Sequence, residues 1–206
     1  MNFTPLFTLS FFIGSNILIA ATNGIIMNNS APLTPHFTFK KLTQKDWPLL
    51  LQWFKEPHVE KWWPTPQENE LMEYFLEKIR SKNNFGFVVY LDEKPIGYIQ
   101  YYYIDRKGEK TGSLLPPLPD ETTVGIDQFI GDPNYLYKGY GTLFIKQFIE
   151  ELKTLEPGIT TVIVDPDPEN IAAIKCYEKV GFVRVDIYEN PRGMSFLIMR
   201  YNIKQT

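Results

Sequence analysis

The feature that most constrains this chain is a strand-like run at residues 123–130 that feeds Leu136-Tyr137-Lys138-Gly139-Tyr140-Gly141-Thr142. Behind it, residues 143–152 repeat apolar side chains at helical period. A helix that opens directly behind two glycines turns its first backbone N–H groups toward one point, and such a point attracts an anion. Without side chains at Gly139 and Gly141 a phosphate reaches the backbone, and Lys138 adds positive charge at the edge. A Gly-x-Gly pair is also an ordinary turn, so the loop alone does not decide its use. A second stretch narrows the choice: a helix at residues 170–180 is entered through Asp165-Pro166-Asp167-Pro168 and carries Ile171, Ile174 and Tyr177 at helical period. It stops at Val180-Gly181 and returns to strand at Phe182.

The rest of the chain alternates in the same manner. Residues 37–42 read as a first strand, and Thr43-Gln44-Lys45-Asp46 opens a helix bearing Trp47, Leu50, Leu51 and Phe54. Residues 56–66 are loop-like, with Pro57, Pro64, Pro66 and the pair Trp62-Trp63, and residues 67–82 form a second helix with one apolar face. Strands at 85–91 and 95–103 are joined through Asp92-Glu93-Lys94, and a long Pro- and Gly-bearing loop at 104–122 leads into the strand at 123–130. Helix 142–153, strand 160–164, helix 170–180 and strands 182–188 and 194–201 complete the order β-α-α-β-β-β-α-β-α-β-β. This order predicts an α/β (α+β) domain with a mixed sheet of about seven strands flanked by helices.

At 206 residues the chain suits one domain plus an appendage, and a net charge of −3 gives no electrostatic footprint for nucleic acid or a membrane surface. Lys40 is the first charged side chain. Residues 6–21 are mostly apolar and residues 22–35 form a polar linker, so residues 1–36 are read as an appendage and residues 37–206 as the domain. The apolar run has Ala20 and Ala21 near its end, as a secretory signal would, but lacks a basic start; it is short and polar for a membrane span, and Met27 offers a shorter beginning. Cys176 is the sole cysteine, and a lone helical cysteine behaves as a small core hydrophobe. His36 and His58 are the only histidines, without a Cys/His cluster, so no metal is expected.

The Pro-rich turn, the Tyr-bearing helix, the Gly-Phe step and the strand that follows resemble the C-terminal half of the Gcn5-related N-acetyltransferase (GNAT) superfamily. More narrowly, Gly125-Ile126-Asp127-Gln128, Lys138-Gly139-Tyr140-Gly141-Thr142, Asp165-Pro166-Asp167-Pro168-Glu169-Asn170 and Cys176-Tyr177-Glu178-Lys179 look like the aminoglycoside 6'-N-acetyltransferases. The resemblance runs from about Phe37 to Tyr201. It implies a GNAT fold in which strands four and five splay apart around the pantetheine arm of acetyl-CoA. It also implies that the loop Tyr137, Lys138, Gly139, Tyr140, Gly141 and Thr142 holds the pyrophosphate, and that the protein is cytoplasmic, with export left open by its N-terminus. Two departures from the pattern are visible. Leu136 stands where the superfamily prefers Arg or Gln, and Leu114-Leu115-Pro116-Pro117-Leu118-Pro119, then Asp120-Glu121, stand where the narrower group has an aromatic pair and an acidic run.

Acetyl transfer to an amine requires a neutral nucleophile, a stabilised oxyanion and a protonated leaving thiolate. By resemblance, Asp127 faces the acetyl group and holds the ammonium or relays its proton, and Tyr177 protonates the thiolate. Asp165 would face the same acceptor cleft, or else merely start the turn and cap the helix. Asn170 would meet the pantetheine arm, with N-capping as the competing use, and a backbone N–H near Ile130 would serve the oxyanion. Gln128 is sent by alternation to the face opposite Asp127 unless a bulge redirects it. Trp62 and Trp63 would wall the acceptor, a sugar stacking on their rings, or else belong to the core.

The expected function is therefore acetyl-CoA-dependent N-acetylation of the 6'-amino group of an aminoglycoside. Two alternatives stand beside it: acylation of a lysine-like or hydroxylamine siderophore precursor, and a non-catalytic acyl-CoA-binding module. The expected partner is a small-molecule amine acceptor, without nucleic acid or stable membrane association, for a monomer or homodimer.

Overall fold

The computed structural model describes residues 34–63, 68–104, 122–190 and 193–203. The readings placed on residues 1–33, on Pro64 and Pro66, and on residues 105–121 lie outside the described residues. From Pro35 onward the chain forms one compact unit.

Seven strands, β1 (Phe37–Lys41), β2 (Asn84–Leu91), β3 (Lys94–Tyr103), β4 (Thr123–Ile130), β5 (Thr161–Val164), β6 (Val183–Glu189) and β7 (Ser195–Asn202), make one sheet in the order β1-β2-β3-β4-β5-β7-β6. Every neighbouring pair is antiparallel except β4 and β5. The parallel pair follows from the connection: the long helix α4 (Tyr140–Leu155) carries the chain back across the sheet before β5 begins.

Helices α1 (Trp47–Phe54), α2 (Pro57–Glu60) and α3 (Glu68–Arg80) cover one face, where Leu50, Trp53, Phe54, Val59, Leu71 and Phe75 bury against Tyr98 and Phe129. Helices α4 and α5 (Ile171–Val180) cover the other, where Phe144, Phe148, Ile174 and Tyr177 pack on Val89, Ile126 and Met199. Strands covered on both faces carry continuous apolar runs; β5 is buried throughout as Thr-Val-Ile-Val.

Two differences from the sequence reading bear on the site. Residues 56–66 are not simply loop: Pro57 at the first helical position pre-sets its own φ behind an extended Glu56 and starts α2, which buries Val59. Helix α4 begins at Tyr140 rather than Thr142, because Gly139 at φ +78 makes the turn into it.

Candidate active site

Strand β4 pairs with β5 only at Thr123, Val124 and Gly125, and then runs five residues further on β3 alone. The two strands thus splay, and the gap opens a cleft of about 1640 Å³. That is above the range of single small-ligand pockets and gives room for two substrates. Gly131 N–H donates to Ile96 O at 2.8 Å beside the Gly97–Ile130 pair. Ile130 is consequently a non-hydrogen-bonded partner whose own N–H and C=O face away from β3 into the gap, and alternation turns those of Gln128 the same way. His58 on α2 reaches the Ile130 carbonyl with Nε2 at 2.8 Å. A carbonyl only accepts, so that nitrogen carries a proton.

Consecutive side chains of β4 leave on opposite faces, with no irregularity in its register against β3. Asp127 points to the α3 side, where Tyr98 O–H donates to Gln100 Oε1 at 2.9 Å and Gln100 Nε2 donates to Asp127 Oδ2 at 2.6 Å. Burial pushes the Asp127 carboxyl up, with the Gln100 bond and the Lys78 ammonium pulling back. Asp165, just past the end of β5, also lines the cleft, open to solvent on one side. Its carboxyl is pushed up to about 7 by its protein surroundings and then by the charge of Asp127. Two neighbouring carboxylates, one raising the proton affinity of the other, form a natural seat for ammonium groups. Tyr102 lies beside both, its phenol held far above its ordinary value by burial and then by Asp127 and Asp165. The ring lies over Gly125, where any Cβ would collide with it. A glycine at that position of β4 makes room for the cleft wall.

Gln128 points to the α5 side and donates from Nε2 to the Tyr177 hydroxyl. Tyr177 is 7% exposed, with its ring at 5.6 Å from that of Phe182. Burial first, then Asp127, raises the phenol, so it keeps its proton. Cys176 beside it is half-buried, its thiol raised by burial and 3.3 Å from Thr142 Oγ1.

At the far end of the cleft, the first turn of the 16-residue helix α4 presents the N–H groups of Tyr140, Gly141 and Thr142, and Gly139 supplies no capping side chain to occupy them. A Cβ at Gly139 would meet no atom within 4 Å, whereas one at Gly141 would touch Cys176 Sγ at 3.4 Å. Both glycines line the cleft; the space is open at Gly139, and at Gly141 a Cβ would stand in ordinary contact with Cys176. Tyr137, at φ +58, is 94% exposed, and Lys138 Nζ sits 6.0 Å from the Tyr135 ring. Tyr140 turns inward against Phe37 and Tyr135. This free helix terminus, with an exposed lysine, fits a pyrophosphate.

The alternatives at three positions resolve as follows. Asn170 is the N-cap of α5, Oδ1 accepting from Ala173 N–H at 3.1 Å, and so precedes the helical face that carries Tyr177. Asp167 accepts from Glu169 N–H at 2.8 Å within the turn, and the cap of α5 falls to Asn170 rather than to Asp165. Trp63 packs edge-on to Phe54 and Phe129 in the α-helical core layer while Trp62 lies under Lys61 Nζ; both also border the cleft. Sequence reasoning missed Gln100, His58, Tyr102 and Lys78. Gln100 carried one signal, a polar side chain amid an apolar strand, but its meaning needs the register that sets it opposite Asp127. Among the described residues no cluster of three His, Cys, Asp or Glu could hold a metal ion, and no helix is long and apolar enough to cross a membrane.

Comparison with known proteins agrees with this architecture. The family described as acetyltransferase (GNAT) domain matches residues 43–189. An aminoglycoside N(6')-acetyltransferase type 1 from Klebsiella pneumoniae is 30% identical over 161 residues, 76% of this chain and 78% of that protein. A kanamycin resistance protein from Rhizobium radiobacter is 41% identical over 69 residues, 34% of this chain and 63% of its own length. Among solved structures, aminoglycoside acetyltransferase AAC(6')-Ib with coenzyme A superposes at TM-score 0.71 with 30% identity, covering 81% of this chain and 95% of that one. The same enzyme with coenzyme A and kanamycin superposes at TM-score 0.70. The chain belongs to the GNAT family and is an N-acetyltransferase.

Proposed function

We propose that this acetyltransferase moves the acetyl group of acetyl-CoA onto the 6'-amino group of aminoglycosides, within a domain spanning residues 37–206. The observation that carries this reading is the division of the cleft. Asp127 and Asp165 face it from one side with Trp62 and Trp63 near them, and Tyr177 and the Gly139 terminus lie on the other. Relatives that share about 30% of this sequence are named for aminoglycosides and have been solved with coenzyme A and kanamycin.

Acetyl-CoA supplies an activated thioester. Its pyrophosphate is held by the N–H groups of Tyr140, Gly141 and Thr142 with Lys138 at the edge; the exposed Tyr137 borders it, and Asn170 meets the arm through its amide. Asp165 and Asp127 receive the ammonium groups of the acceptor, and Asp127 removes a proton from the attacking amine. Its raised proton affinity brings it closer to the working pH than a free carboxylate, which is what a base requires. The Ile130 N–H, turned into the gap, donates to the developing oxyanion. Tyr177 gives its proton to the departing sulfur. Acetyl-CoA is a cytosolic metabolite, which supports a cytoplasmic enzyme.

Full-length protein with acetyl-CoA, screened by thiol release against kanamycin, other aminoglycosides, polyamines and a lysine-derived hydroxylamine, tests the reading. Turnover with aminoglycosides supports it. Turnover with the hydroxylamine alone would transfer the protein to siderophore chemistry, and binding of acetyl-CoA without turnover on any amine would make it a binding module.

A further inference from the structure

We propose that Gln128 is a positioning residue for Tyr177: its amide N–H holds the phenol oxygen so that the single O–H proton is directed at the departing sulfur. The proposal rests on the reading of Tyr177 as the acid.

Gln128 follows Asp127 on the splayed strand, and alternation sends the two side chains to opposite faces, so one dipeptide serves both sides of the cleft. The Gln128 bond uses a lone pair of the Tyr177 oxygen and leaves its proton uncommitted. Gln128 Oε1 is buried without a partner. An unpaired buried carbonyl is unfavourable, so packing does not explain the amide; among the described residues its side-chain hydrogen bond goes to Tyr177. The electrostatics explain the need. Burial and the charges of Asp127 and Asp165 make Tyr177 reluctant to release its proton, and the Gln128 amide is the one influence on it that acts in the other direction. An N–H already aimed at the oxygen stabilises the phenolate as it forms.

The balance of the step is complete. The amine nitrogen forms a bond to the acetyl carbon as the carbon–sulfur bond breaks. The acceptor ammonium gives up two protons: one leaves through Asp127 to solvent, and the other, through water, replaces the proton that Tyr177 gives to sulfur.

The test compares full-length Gln128→Leu, Gln128→Glu, Tyr177→Phe and the Gln128→Leu/Tyr177→Phe double variant, with acetyl-CoA and kanamycin. Basal acetyl-CoA hydrolysis without acceptor is read alongside, so that the ranking does not depend on the amine. Gln128→Leu is expected to lower kcat roughly 10–100-fold, a part of the 10²–10⁴ of a positioned acid, with KM for both substrates within about threefold. The double variant should be no slower than Tyr177→Phe, because residues acting as one unit are not additive. Gln128→Glu offers acceptors only once ionised, so it should fail to rescue on the alkaline side of the pH profile; retention of activity there would mean that Tyr177 donates to residue 128 and would overturn the proposal. Additive losses in the double variant, or wild-type kcat in Gln128→Leu beside a slow Tyr177→Phe, would overturn it while leaving Tyr177 as the acid. Wild-type kcat in Tyr177→Phe would remove the acid and this proposal together. Should Gln128→Leu not fold, the near-isosteric Gln128→Glu decides.

Discussion

Gln100 and Asp127 stand directly opposite each other on β3 and β4, and Gln100 Nε2 donates to Asp127 Oδ2 at 2.6 Å. The bond favours the ionised carboxylate against the burial that opposes it. Gln100→Leu should therefore raise the proton affinity of Asp127 and move the acidic limb of kcat/KM to higher pH. The same change strips Tyr98 O–H of its acceptor and should cost about 1–3 kcal/mol in a denaturant titration.

Asp127→Asn keeps size and loses charge. It should lower kcat by roughly 10²–10⁴ if Asp127 takes the amine proton. Wild-type turnover by thiol release would exclude both the base and the ammonium-anchoring roles.

The raised carboxyl of Asp165 has consequences for stability as well as activity. A carboxyl whose folded value lies above its unfolded one binds its proton more tightly in the folded state, so its contribution turns unfavourable as pH rises from its ordinary 3.8 through about 7. Asp165→Asn should melt at higher temperature than wild type at pH 8, with the difference vanishing below about pH 4. Calorimetry at the two pH values checks the sign. In the active protein, kcat/KM should rise with pH through an apparent value near 7, and that value belongs to the Asp127/Asp165 pair.

Gly139 at φ +78 faces open space at the start of α4. Gly139→Val places a branched side chain in left-handed backbone, costing roughly 1–2 kcal/mol, and covers the helix amides. Acetyl-CoA affinity by calorimetry should fall at least tenfold, a loss of about 1.4 kcal/mol. Unchanged affinity in the folded variant would remove the pyrophosphate from this loop.

The acceptor side predicts a dependence on charge. Asp165→Ala should raise KM for kanamycin more than for a monoamine and change kcat little, and added salt should act in the same direction, since exposed pairs are screened over about 10 Å at 0.1 M. Trp62→Ala should raise KM without unfolding the protein. Trp63→Ala should also lower Tm, because Trp63 packs on Phe54 and Phe129.

The element order and the glycine terminus were legible along the chain, because strand alternation, helical period and turn chemistry are local and leave their pattern in neighbouring residues; Asp127, Asp165 and Tyr177 were singled out by the family resemblance of the motifs that carry them. Residue 128 was legible only as a direction, away from Asp127. Local pattern says which face a side chain takes and nothing about what waits there. The tertiary structure decided the rest. Register set Gln100 against Asp127, the end of β4–β5 pairing at Gly125 opened the cleft, and the packing of α5 on the sheet brought Tyr177 to Gln128 across 49 residues of chain. α2 carried His58 to the Ile130 carbonyl, 72 residues away. Hydrogen bonds at such separations depend on how sheets pair and helices dock, and the proton affinities of Asp127 and Asp165 depend on how much protein surrounds them; neither has a signature in the local order of residues.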